Sequence, residues 1–333
     1  MTNQQQHRRT LALAAAAFTA AAAFSGLAQA QGAGSYPSRP VTLVVPTATG
    51  GTTDFSARML AQPLGTALGQ SVVVDNKGGG NGSIAAMQVK RAEADGYTLL
   101  MQYSGYHVIT PAVSKTPLQW DAKDFQPVAN VISAPQVIVV RASLPVKTMA
   151  ELIAYAKANP GKLNYASSGN GSLQHVTGAM LEQQAGIDMM HVPYKGTGPA
   201  LQDLLGNQVD LTFGTPPPFV PHIQSGKLRA LAVTGKKRLP SLPDVPTTTE
   251  AGLPKLDATS WFAVFAPVKT PKPIIDKLTA EIAKITATPA FKQKALELGA
   301  EADYMNPQQL ADFTKAELTR WAQVVKTSKI EAD

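Results

Sequence analysis

Short apolar, β-branched runs alternate along the chain with stretches whose apolar residues recur every three or four positions. Residues 41–45, 71–75 and 97–101 read as strands, and 54–68 and 83–94 between them as helices. The pattern then resumes. A strand at 136–140 is followed by a helix that Thr148 and Glu151, spaced as a capping box, open and that Asn159-Pro160-Gly161 stops. Strand 163–166, helix 173–185, strand 189–192, helix 199–205 and strands 209–213 and 228–233 complete this series. A Pro-rich connection over 239–254 leads to 260–265, apolar on both faces and therefore predicted to be buried. The tail is predicted to be almost wholly helical, 273–286, 289–298 and 306–328, with Asn306 as the last cap and Pro307 at the first position.

Such alternation predicts an α/β fold, with parallel sheet covered by helices on both faces. Because it runs through twice before the helical tail, two lobes are expected, with the chain crossing between them near 131–135 and 258–260. Lobe one is then discontinuous, 36–133 plus 260–333, and lobe two is 134–259. On pattern alone, a single α/β domain competes with this division.

The N-terminus predicts a different fate. Arg8 and Arg9 precede an Ala-rich apolar run over 11–27, and Ala28-Gln29-Ala30 supplies a signal-peptidase pattern. Residues 1–30 are thus expected to be a signal peptide exporting the chain to the periplasm. The run is too short for a good permanent anchor, and no other stretch approaches the roughly 20 apolar residues of a span. Thr10-Leu11-Ala12 fits a twin-arginine signal poorly, so the general secretory route is expected.

Composition narrows the chemistry. There is no cysteine, which removes disulfides and thiolate metal sites. The net charge is +7, and the leader holds two of the 30 Lys and Arg residues. The densest basic run, Lys236-Lys237-Arg238, is short, and aromatic residues do not interleave with basic ones, so a nucleic-acid platform is not expected. A mild positive field suits an anionic ligand.

Glycine-rich loops invite nucleotide readings, and these fail. Gly78-Gly79-Gly80-Asn81-Gly82 lacks the Lys-Ser/Thr of a P-loop, and Gln174 stands where Gly169-Asn170-Gly171 would need a third dinucleotide-fingerprint glycine. His7, His107, His175, His191 and His222 show no metal-ligand spacing. Ala166 and Asn170 replace both glycines of a nucleophile elbow around Ser168. No metal, no cofactor and no enzyme is expected; an exported hydrolase built from distant residues is the rival from another class.

What remains is three strand-to-helix loops suited to anions. The first is 46–54, where Gly50 and Gly51 permit close backbone approach and Thr52, Thr53 and Asp54 follow at the helix start. The second is 167–172, with His175 one turn into its helix, and the third is 194–198. Any α/β turn needs glycine and a cap, so each loop alone reads as plain structure. Together they lie at the carboxyl ends of strands, where open α/β sheets bind ligands.

With these residues in view the chain resembles the Bug (Bordetella uptake) family, receptors of tripartite tricarboxylate transporters. The resemblance covers essentially the whole chain after the leader. It is carried by Tyr36-Pro37-Ser38-Arg39-Pro40, Gly50-Gly51 with Asp54, Asp95-Gly96-Tyr97-Thr98-Leu99-Leu100, Leu163-Asn164-Tyr165-Ala166-Ser167, His191-Val192-Pro193-Tyr194-Lys195-Gly196, Leu242-Pro243-Asp244-Val245-Pro246 and Glu250-Ala251-Gly252-Leu253-Pro254. It implies a type II, Venus-flytrap periplasmic-binding-protein fold closing on a carboxylate, a monomer that delivers to membrane permease subunits. A sensory role beside a membrane kinase uses the same fold and stays open.

Carried over from the family, Ala48, Thr49, Gly50, Gly51, Thr52 and Asp54 hold one carboxylate. Ser168, Asn170, Gly171, Ser172, Tyr194, Lys195, Thr197, Gly214 and Thr215 supply the second lobe's contacts. Ser104, past the third strand, is counted with the candidate contacts. Two departures bear on the ligand. Thr47 stands where the family has a large aromatic residue, and Gly214 stands where it has Asp at the end of Val209-Asp210-Leu211-Thr212-Phe213. Losing that acid disfavours an amino acid. With His175 on a second carboxylate, these changes point to an aromatic dicarboxylate such as terephthalate, with citrate-like and C4–C6 aliphatic acids as competitors.

Overall fold

The computed structural model describes residues 36–328, so the expected signal peptide lies outside the described residues. In chain order the strands and helices are β1 (Val41–Val45), α1 (Thr52–Leu68), β2 (Val72–Asn76), α2 (Ser83–Lys90) and β3 (Thr98–Tyr103). A wide π-helical turn, Gly105–Ile109, runs into α3 (Thr110–Val113), and β4 (Phe125–Pro135), β5 (Val137–Arg141), α4 (Met149–Ala158), β6 (Asn164–Ser167), α5 (Leu173–Ala185), β7 (Met190–Pro193), α6 (Thr197–Leu205), β8 (Leu211–Gly214), α7 (Val220–Gln224) and β9 (Leu228–Val233) follow. The chain ends through β10 (Thr259–Pro267), α8 (Lys272–Ala287), α9 (Pro289–Glu297), β11 (Glu301–Met305) and α10 (Pro307–Ser328).

The strands form two sheets, one with order β11-β4-β10-β3-β1-β2 and one with order β7-β6-β8-β5-β9. This is a two-lobed α/β fold. The parallel sheet expected from the alternation is present in both lobes, and antiparallel strands extend it. β1 is parallel to β2 and β3, and β6 is parallel to β7 and β8. β10 runs antiparallel to β3 and β4, and β5 runs antiparallel to β8 and β9. β5 shows why its run is continuously apolar. Ile138 and Val140 enter one buried cluster while Val137 and Val139 enter another on the opposite face.

Two strands are absent from the hydrophobic pattern. β4 carries Asn130 and Ser133, which interrupt its alternation, and β11 carries two acids. The structure pairs these exceptions with each other. Asn130 Nδ2 donates to the Asp303 carbonyl at 2.6 Å, and Ser133 Oγ donates to Asp303 Oδ2 at 2.6 Å. A strand that reads as polar is thus an edge strand whose acid satisfies its neighbour.

Caps follow the sequence with one displacement. Thr148 Oγ1 accepts from Glu151 N at 3.1 Å, but Glu151 Oε2 accepts from Lys147 N, one residue ahead of the expected partner. Asn306 and Gln309 exchange reciprocal bonds at 3.0 Å and open α10.

The chain crosses between the sheets twice, at Gln136 between β4 and β5 and again between β9 and β10. The crossings lie side by side, with Gln136 N donating to Ala258 O at 3.2 Å. No described helix is long and apolar enough to cross a membrane.

Candidate functional site

The segment leaving β1 in the first sheet meets those leaving β7 and β8 in the second directly. Ala48 N donates to Lys195 O at 3.0 Å, and Thr215 Oγ1 donates to Thr52 Oγ1 at 2.5 Å. The approach is so close that a Cβ on Gly198 would lie 2.0 Å from Thr49 O.

The segments after β1 and β7 each deliver a helix N-terminus whose cap is glycine. Gly51 precedes α1 and Gly196 precedes α6, and neither start carries a side-chain capping bond. Leading amides without a side-chain acceptor attract an anion, reinforced by the helix dipole. α5 differs, because Ser172 Oγ accepts from His175 N at 3.3 Å and so caps its own helix.

Between the two glycine-capped starts lies a cavity of about 10 Å³, room for about one water. It is lined by Thr47, Gly51, Thr52, Thr53, Tyr103, Gln136, Ser168, Gln174, Thr197, Thr215, Ser260 and Phe262. None of these is charged. Anything of carboxylate size therefore enters only when the facing loops part.

The lining is tied together across both sheets. Gln174 Oε1 accepts from Ser168 N at 2.9 Å and also from Ser168 Oγ, while its Nε2 donates to Thr197 Oγ1 at 2.9 Å. Gln136 Nε2 donates to Ser260 Oγ at 2.7 Å. Leu173 N donates to the Tyr103 hydroxyl at 3.0 Å. Burial drives the Tyr103 phenol far above its ordinary range, and Tyr106, whose hydroxyl donates to Ser168 O, is pushed up to about 12 by the same cause. Both phenols keep their protons. Thr47 Oγ1 and Gln136 Oε1 are buried with no hydrogen-bond partner among the described residues.

Of the residues singled out in the sequence, Thr47, Gly51, Thr52, Ser168, Thr197 and Thr215 line the cavity. Asp54 stands behind it as a brace. Its Oδ2 accepts from Gly50 N at 3.1 Å and its Oδ1 from Arg58 Nε at 2.9 Å; Arg58 Nη2 reaches Asn76 Oδ1, and Asn76 Nδ2 donates to Thr47 O. This ring of bonds fixes the loop that carries Ala48 and Thr49.

Other candidates lie elsewhere. Ser104 Oγ accepts from Trp261 N at 3.3 Å. Asn170, Tyr194 and Lys195 line a separate groove of about 170 Å³ with Gly79, Gly80 and Asn81. His175 is not among the lining residues, because its Nδ1 accepts from Gly171 N at 3.2 Å and its ring stacks on His191 at 4.0 Å. Gly214 does not line the cavity either. A Cβ there would sit 2.3 Å from the Phe219 ring, so Phe219 fills the volume that the missing side chain was expected to free.

Tyr103, Gln136, Gln174, Ser260 and Phe262 were not foreseen, and Thr53 only as part of the first loop. Gln136 and Ser260 did leave a trace, as polar residues opening otherwise apolar strand runs at the two crossings. A larger groove of about 740 Å³ lies between α2 and residues 110–119 and shares no lining residue with the cavity. No group of three or more His, Cys, Asp or Glu among the described residues could hold a metal.

Two lobes, each presenting a glycine-capped helix start to a shared polar cavity, match a periplasmic-binding-protein fold. The model of the tripartite tricarboxylate transporter family receptor matches residues 56–330, and the chain belongs to that family. Its members are solute-binding receptors rather than enzymes. The chain is 40% identical to the periplasmic binding protein BugD, with a TM-score of 0.85 over 90% of this chain and 100% of that one. It is 40% identical to an R. palustris protein solved with adipate, with a TM-score of 0.86 over 89% and 99%. MatC from Rhodopseudomonas palustris, solved with bound malate, is 35% identical, with a TM-score of 0.83 over 87% and 100%.

Proposed function

We propose that this protein is a periplasmic receptor that captures a small di- or tricarboxylate between its lobes and delivers it to a membrane permease. The observation that carries the reading is the pair of glycine-capped helix starts, α1 and α6, brought from opposite sheets to one uncharged polar cavity. Backbone amides and hydroxyls serve an anion there without a lysine or arginine. Adipate and malate in two relatives support the class. Lobe one comprises 36–135 and 259–328 and lobe two 137–258. These bounds shift slightly from those read in the sequence, because β4 runs to Pro135 and β10 starts at Thr259. Closure turns on the paired crossings at Gln136 and Ala258.

Aliphatic acids are favoured over terephthalate. The aromatic choice rested on Thr47, Gly214 and His175, and of these only Thr47 lines the cavity. Thermal unfolding against succinate, malate, adipate, citrate, glutamate, phthalate and terephthalate tests the reading. A ligand at a hundred times its dissociation constant adds about 2.7 kcal/mol, a shift of several degrees. A response confined to aromatic diacids restores the terephthalate assignment. No response from any acid removes the carboxylate reading.

A further inference from the structure

We infer that Gln136 is a specificity-determining residue, accepting at Oε1 a hydrogen bond from a hydroxyl of the bound acid. The inference rests on the carboxylate reading above and adds a chemical demand to it. Gln136 is 1% exposed and lines the cavity, and its Oε1 has no partner among the described residues.

The side-chain nitrogen already has its partner, with Nε2 committed to Ser260 Oγ at 2.7 Å. The backbone N of Gln136 donates to Thr234 Oγ1 at 2.9 Å and its carbonyl accepts from Thr234 N at 2.9 Å, which pins the residue on both sides of the crossing.

An amide oxygen only accepts, whereas the hydroxyls around the cavity rotate to accept or donate. Thr47 Oγ1, the other unpartnered lining atom, therefore places no demand on the ligand. Gln136 Oε1 does. A carboxylate is itself acceptor-only and is turned away from this atom toward the amides of α1 and α6. The bound molecule must then bring a donor to the crossing. No acidic side chain lines the cavity to pair with an ammonium group, and a hydroxyl needs no counter-charge. Leaving a buried acceptor unmet is the costly alternative.

The test compares acids that differ by one hydroxyl, malate against succinate and citrate against tricarballylate, by calorimetric titration of the native protein. The hydroxy member of whichever pair binds should be about tenfold tighter. Gln136→Leu should bring that ratio close to one, while Thr47→Val lowers both affinities and keeps the ratio. Equal affinities in the native protein, or preference for the deoxy acid, overturn the inference and leave the carboxylate reading standing. A ratio that survives in Gln136→Leu, or collapses in Thr47→Val instead, also overturns it. Should Gln136→Leu fail to fold, the native ratios and Thr47→Val still decide. Binding of neither member of either pair alongside a response to adipate overturns the inference alone, whereas no response to any acid of the panel removes both readings together.

Discussion

Asp54 shows how a residue can serve a site from behind its lining. Buried at the start of α1, it holds Gly50 N with one oxygen and Arg58 with the other. The Arg58 side chain is 54% exposed, so the ion pair itself contributes well under about 1 kcal/mol. The aim of the loop is the larger effect. Asp54→Ala is expected to lower Tm by only a few degrees and to weaken acid binding roughly tenfold, which parallel melting and titration experiments separate.

His107 makes a second prediction at this scale. Packed against Phe265 at 4.5 Å and near Trp120, Phe125 and Trp261, it is fully buried. Burial lowers its pKa to about 4, opposed by the nearby Asp121 charge. The folded form binds the proton less readily than the unfolded one. Its neutral-form stability is therefore complete above about pH 6.5 and is lost as pH falls toward 4. The loss is about 2 kcal/mol at pH 5. His191, lowered to about 3 by burial and by His175, acts in the same direction. Melting curves from pH 8 to pH 4.5 should show this decline, and His107→Phe should flatten it in part.

Elements were legible where one force decided them. β1 and β5 are apolar because they are central, and the helix starts follow Gly51 and Gly196. β4 and β11 were hidden because each supplies the other's missing partner, a pairing across the Asn130–Asp303 contact that no local pattern records. The site divides in the same way. Loop residues at helix starts announce themselves by glycine and threonine, whereas Tyr103, Gln174 and Gln136 enter through tertiary placement. Gly198 tests the element scale. In α6 an alanine gains up to about 1 kcal/mol of helix propensity, yet its Cβ would meet Thr49 O at 2.0 Å across the lobes. Gly198→Ala should keep or raise Tm while losing acid binding.

For the whole molecule, these contacts make closure a discrete arrangement. Thr215 on Thr52, Lys195 on Ala48 and Tyr106 on Ser168 are all made between the sheets. A protein blocked at Gly198 is expected to show a larger radius of gyration by small-angle scattering than the native protein saturated with acid, a gap that acid does not close.

The paired crossings carry a consequence for how such receptors diversify. Everything from Val137 to Ala258 leaves and re-enters the first sheet at neighbouring points, and its two apolar clusters draw only on residues within that span. The inserted segment is thus portable. Expressed alone it is expected to fold, and exchanged with the same segment of a relative it should carry its half of the ligand preference with it. One recombination event joining at Gln136 and Ala258 would give a hybrid receptor with the original first sheet and a new taste in acids.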